Sequence, residues 1–80
     1  MVSIFAEPYC TEQDDCRAAF EDLGYKAGGL GYEYVGKYDV KGCYGYKTGE
    51  FAGHFFYGTG GRPEDLKWTD LDLPKFRIMC

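Results

Sequence analysis

The chain has 80 residues, 45% of them hydrophobic, and a net charge of −4 from 13 acidic against 9 basic residues. That length makes a single domain, 1–80, whose apolar core alone gives only marginal stability. No two basic residues are adjacent, which disfavours a nucleic-acid partner, and no apolar run nears the ~20 residues of a membrane span.

The first element in chain order is Val2–Ala6, a short β-prone run stopped by Glu7-Pro8. The opening MVSIFAEPYC turns acidic too early for a secretory leader. A secreted origin therefore implies a leader already removed, or a unit cut from a longer precursor.

TEQDDCRAAFEDLG follows. Thr11 is a natural N-cap, and Glu12, Asp14 and Asp15 put negative charge where the helix dipole favours it. Cys16, Ala19, Phe20 and Leu23 repeat at the spacing of one buried helical face. Gly24 is placed to end the helix in the left-handed region. The pattern predicts an amphipathic helix over Thr11–Leu23 with Cys16 facing inward.

Past the glycine-containing connection Tyr25–Gly31, period-two patterns take over. Tyr32, Tyr34 and Val35 lead into one β-prone segment, and Lys37–Val40 alternates polar and apolar. Cys43–Tyr46 and Phe51–Tyr57 then read as a hairpin around Lys47-Thr-Gly-Glu50. In its second strand Phe51, Gly53, Phe55 and Tyr57 share one expected face, and Ala52, His54 and Phe56 the other. Gly58-Thr-Gly-Gly61 ends the hairpin, Arg62–Leu66 suggests a helical turn begun by Pro63, and Trp68–Pro74 is a loop. Lys75–Cys80 reads as a closing strand with Phe76, Ile78 and Cys80 on one face. The fold class is α+β: a small antiparallel sheet with one main helix packed on one face, stabilised by disulfides.

Twelve glycines cost backbone entropy on folding, so this core needs support. The four cysteines Cys10, Cys16, Cys43 and Cys80 suggest two disulfides and an oxidising compartment, secreted or lumenal. The competing readings are free thiols and zinc, the latter weakened by the absence of a C-x-x-C knuckle. The preferred pairing is Cys16–Cys43 with Cys10–Cys80, because the helix face aims Cys16 at the sheet. Cys10–Cys43 with Cys16–Cys80 is the rival, and a helix start separates Cys10 from Cys16. Closing a loop of about 28 residues between Cys16 and Cys43 is worth roughly 3 kcal/mol.

The chemistry is sparse. GTGG resembles an anion-binding nest but lacks the Lys-Ser/Thr that completes a P-loop, so a structural turn is the simpler account. His54 is the only histidine and Ser3 the only serine, leaving no evident nucleophile–base pair. Asp70 and Asp72 flank Leu71 and could serve acid–base chemistry or calcium, although such a pair is commonly solvated. No metal site and no cofactor are implied.

The tyrosines Tyr32, Tyr34, Tyr38, Tyr44, Tyr46 and Tyr57 exceed what so small a core should hide, and exposed rings can stack on sugars or line a protein interface. The expected binding residues are Tyr44, Tyr46, Tyr57, Tyr34 and His54, with Tyr44 and Tyr46 alternating away from Cys43. The reading is a non-catalytic interaction module for carbohydrate or a protein neighbour. The alternative is a small enzyme or ligand carrier using His54 and Asp70/Asp72 near the GTGG loop.

The C-x5-C helix start at Cys10 and Cys16, the strand opening Lys41-Gly-Cys-Tyr44 and the closing Gly58-Thr-Gly-Gly61 resemble small cysteine-containing domains of unknown function in predicted proteins of diatoms and related algae. The resemblance covers Cys10–Gly61 and extends to Cys80. It implies that these four cysteines are framework and that such a domain often lies in a larger or repeated protein. It implies no activity.

Overall fold

In the computed structural model, which describes residues 9–67 and 71–80, the helix α1 spans Gln13–Asp22. The expected strand Val2–Ala6 and the segment 68–70 lie outside the described residues. The helix begins later than its sequence signals suggest: Glu12, with φ −97° and ψ 149°, occupies the N-cap position without a side-chain cap. Thr11 is used otherwise, since its carbonyl accepts the Tyr57 hydroxyl at 2.6 Å. Asp14 and Asp15 do fall in the first turn.

The far end follows the sequence closely. Gly24 takes φ +85°, its N–H donates to the Glu21 carbonyl, and the Tyr25 N–H donates to the Phe20 carbonyl. These are the two hydrogen bonds of a Schellman motif, and the hydrophobic contact that accompanies it is Tyr25 on Phe20, centroids 5.3 Å apart. Leu23, expected on the buried face, is exposed because the chain has already turned and Tyr25 fills its place beside Phe20.

Five strands follow: β1 Lys26–Ala27, β2 Val35–Gly36, β3 Gly42–Tyr46, β4 His54–Gly58 and β5 Lys75–Phe76. The α+β class holds. The sheet is mixed rather than antiparallel: β3 pairs antiparallel with β4 and β5, whereas β1 and β2 both run parallel to β4. With β3 on one edge of β4, β1 and β2 share the other in succession. Lys37–Val40 forms no strand; it is loop, packed so closely on β4 that a Cβ at Gly58 would sit 1.7 Å from the Val40 carbonyl oxygen. The hairpin connection is longer than expected, 47–53, because Gly49 and Gly53 both adopt positive φ and His54 N–H turns back to the Phe51 carbonyl. Pro63 does open a short 3-10 helix, Pro63–Lys67.

Both disulfides have the preferred pairing, Cys10–Cys80 and Cys16–Cys43, with Cα separations of 5.0 and 5.6 Å. Cys16 and Phe20 lie four residues apart on α1, about 6 Å along the axis. Cys43 and Gly45 lie two apart on β3, about 6.6 Å. The two spacings match, so one helical turn docks on one pleat: Cys16 bonds Cys43 while Phe20 sits on Gly45. A Cβ at Gly45 would lie 2.6 Å from the Phe20 ring. Phe20 then stacks on Phe55 at 4.8 Å and meets the edge of Phe76 at 5.5 Å, completing a core that includes Cys10 and Ile78.

Gly45→Ala should therefore lower stability by about 1–3 kcal/mol, the cost of overpacking. Replacing Cys16 and Cys43 together by alanine should cost about 3 kcal/mol through the freed loop. Urea unfolding of each variant against the parent measures both.

Candidate functional site

The pleat sends Cys43, Gly45, Phe55 and Tyr57 toward the helix and Tyr44, Tyr46, His54 and Phe56 to the opposite face. On that second face Tyr44 stands directly across from Phe56, their centroids 6.0 Å apart. Phe51, expected beside Phe55, instead reaches this face from the turn and packs edge-on against Phe56 at 5.7 Å. Tyr38 arrives from the loop after β2 and Tyr32 from the loop after β1. Together Tyr32, Tyr38, Tyr44, Tyr46, Phe51 and Phe56 line a cleft of about 190 Å³.

Its floor and rim differ. Tyr44, expected to be an exposed contact ring, is only 3% exposed, because Phe56, Tyr46 and Tyr38 close around it. Tyr46 is half-buried and Tyr32 is 56% exposed. The Tyr44 and Tyr46 rings neighbour each other with centroids 5.8 Å apart, and the Tyr38 hydroxyl donates to the Glu33 carbonyl. Burial first, and then the neighbouring Tyr46, pushes the Tyr44 phenol well above its ordinary pKa. Burial also raises Tyr46.

Two of the expected binding tyrosines belong to the helix side. The Tyr34 hydroxyl donates to the Gln13 carbonyl at 2.7 Å, and Tyr57 to Thr11. They fasten the start of α1 to β4 and its neighbour, and Tyr34 packs edge-on against Phe55. Burial pushes the Tyr34 phenol up to about 12, against the opposing pull of the Arg17 charge.

His54 is also tied down. Its Nδ1 lies 2.7 Å from the Gly28 carbonyl, an acceptor, so Nδ1 carries the proton. Gly29 leaves the room for the ring, since a Cβ there would approach Nδ1 to 2.3 Å. This imidazole anchors the 28–29 loop onto β4 at the opposite end of the strand from Gly58, and it does not line the aromatic cleft.

The residues of the catalytic alternative are not brought together. Asp70 lies outside the described residues. Asp72 lines a separate polar cleft of about 380 Å³ with Asp39, Lys41, Arg62, Asp65, Lys75 and Arg77. Charges there are largely engaged. Arg77 donates to the carbonyls of Lys41, Cys43 and Asp65, while the Arg62 backbone N–H and guanidinium hold the Asp65 carboxyl below its usual range. In the GTGG corner the Thr59 N–H donates to the Gly36 carbonyl, so it serves as a structural turn. Among the described residues no group of three or more His, Cys, Asp or Glu is arranged to hold a metal ion, and no helix is long and apolar enough to cross a membrane.

The sequence reading missed Phe51 and Phe56 as lining residues, and it counted Tyr32 and Tyr38 among the surplus tyrosines without naming them as binding residues. The pairing of Tyr44 with Phe56 is available from hairpin alternation once the turn is set correctly. The positions of Tyr32 and Tyr38 come from irregular loops and leave no periodic signal.

The buried phenols predict an alkaline limit. Unfolded tyrosines ionise near pH 10, but Tyr34 in the fold holds its proton to about 12. Between those values the folded chain binds more protons, so raising the pH favours unfolding. Stability should be steady below about pH 9–10 and fall from there toward about 12, with Tyr34→Phe flattening part of the decline. Urea midpoints measured across that range, with phenolate absorbance followed in parallel, check it.

The chain matches no protein-family model, no curated protein and no solved structure.

Proposed function

We propose that this protein is a non-catalytic extracellular or lumenal interaction module that engages carbohydrate or a partner protein through the aromatic face of its sheet. The observation that carries the reading is the cleft of six converging rings on the face turned away from α1. Aromatic anchors seated in a concave, rigid patch are the kind of feature that dominates binding energy at interfaces. The two disulfides support an oxidising compartment. The resemblance to algal cysteine-containing domains belongs to the same proposal and implies a setting within a larger or repeated protein. Against catalysis stands the separation of His54, bound to Gly28, from Asp72 in the polar cleft.

Tyr44 is too buried to test this cleanly, so the informative positions are Tyr32 and Tyr46. Tyr32→Ala should change stability by no more than about 0.5 kcal/mol, as for other exposed positions. It should weaken ligand binding by about 1–2 kcal/mol. Chemical-shift mapping with a panel of oligosaccharides and peptides should cluster perturbations on Tyr32, Tyr46 and Phe51. Perturbations centred on His54 or Asp72 with probe turnover would overturn the reading in favour of an enzyme.

A further inference from the structure

The two disulfides stand in different surroundings. Cys16 and Cys43 are both 0% exposed, and their bond lies within the core that holds Phe20 and Phe55. Cys10 is only 2% exposed, but its partner Cys80 is exposed, and so is the adjoining Met79 at 63%. One bond is thus closed to solvent from both of its residues, and the other is open from one.

Thiol–disulfide exchange proceeds by attack of a thiolate on one sulfur, so access decides which sulfur is attacked. A dissolved thiolate reaches Cys80 and is kept from Cys16–Cys43 by the core. Attack at Cys80 forms a bond to the incoming sulfur and breaks the bond to Cys10. The electron pair of the broken bond leaves on the Cys10 sulfur, which then takes a proton. The product is a mixed disulfide on the exposed Cys80, with a Cys10 thiol beside it. Cys10 can attack that bond in turn, restoring Cys10–Cys80 and releasing the thiol. A second thiol of the partner can attack it instead, leaving Cys80 as a thiol and the partner oxidised.

The fold has contacts that outlast this opening. On one side the Cys10 N–H donates to the Ile78 carbonyl at 2.9 Å, and the Thr11 carbonyl accepts the Tyr57 hydroxyl at 2.6 Å. On the other side Ile78 belongs to the core, and Arg77 donates to the carbonyls of Lys41, Cys43 and Asp65. Cys16–Cys43 still fixes α1 on β3. The contact left to loosen is the isolated β-bridge between Tyr9 and Met79.

We propose that Cys10–Cys80 is an exchangeable disulfide: Cys80 is the site of mixed-disulfide formation with a thiol-bearing partner, and Cys10 is the buried cysteine that resolves it. Cys16–Cys43 alone is permanent framework, which departs from the expectation that all four cysteines are. This site is separate from the aromatic cleft and does not depend on what that cleft binds.

The test treats the oxidised 80-residue protein with reduced glutathione under native conditions, blocks thiols at intervals with N-ethylmaleimide, and maps every cysteine by mass spectrometry. Glutathione should appear on Cys80 and maleimide on Cys10 about tenfold or more faster than either label on Cys16 or Cys43. Near-UV circular dichroism should persist while only this pair is open. On removal of free glutathione the parent should expel its adduct and reclose Cys10–Cys80. Cys10→Ser, loaded at Cys80 with glutathione disulfide, should keep its adduct. Should that variant fail to fold, reclosure of the parent gives the same readout. A thioredoxin whose second active-site cysteine is serine serves as a protein probe. Trapping of Cys80 by it faster than by glutathione at equal thiol concentration assigns the partner to a protein, and slower trapping assigns it to a small thiol. Labels that reach Cys16 or Cys43 first overturn the proposal. So does opening of all four cysteines together with loss of the near-UV signal, or a Cys80 that takes no label until denaturant is added.

Discussion

The fold depends on the docking of Phe20 onto Gly45. A ring of that size can lie flat on a central strand only where the strand carries no side chain, and a Cβ would intrude to 2.6 Å. The Cys16–Cys43 bond holds the same register one turn earlier on the helix and one pleat earlier on the strand. Together they fix both the position of α1 along β3 and its rotation. The remaining core rings, Phe55, Tyr25 and Phe76, gather around Phe20.

With one face of the sheet committed to the helix, the other must be closed by different means. It has rings supplied by loops. Tyr38, Tyr32 and Phe51 come in over Tyr44 and Phe56 without a second helix among the described elements. Rings alone do not tile a surface as a helix does, because their edges and faces meet at wide angles. The concavity left between them is the cleft. The cleft and the closure of this face therefore have the same origin in this molecule, which leaves Tyr44 buried, Tyr46 half-buried and Tyr32 exposed.

Hydroxyls divide the tyrosines further. Tyr34 and Tyr57 spend theirs on backbone carbonyls at the entry to α1, where no side-chain cap is present. Their rings pack inward while their polar ends satisfy the segment that precedes the helix, as expected of half-buried tyrosines. His54 plays a comparable part for the 28–29 loop. Residues that look reactive or adhesive in a list of letters are here fasteners between irregular backbone and the sheet.

The sequence by itself determined the elements whose signals are local. The helix body, its Gly24 stop, the central hairpin and the α+β class follow from periodicity and turn chemistry acting over a few residues. The preferred cysteine pairing was also within reach, because the helical face aims Cys16 at the sheet, but the rival Cys10–Cys43 with Cys16–Cys80 stayed open in the sequence and only the tertiary structure closed it. Tertiary structure decided the rest. Parallel pairing of Lys26–Ala27 and Val35–Gly36 with β4 joins segments about twenty or more residues apart, too short to carry a periodicity of their own. The N-cap moved to Glu12 while the Thr11 carbonyl took up a hydroxyl 46 residues away. Which tyrosines face solvent was settled by loops that return across the sheet, and no alternation within Cys43–Tyr46 could indicate that Tyr32 and Tyr38 would join Tyr44 and Phe56 on one face. Local free-energy preferences write themselves into neighbouring letters; burial is a property of what distant segments leave uncovered.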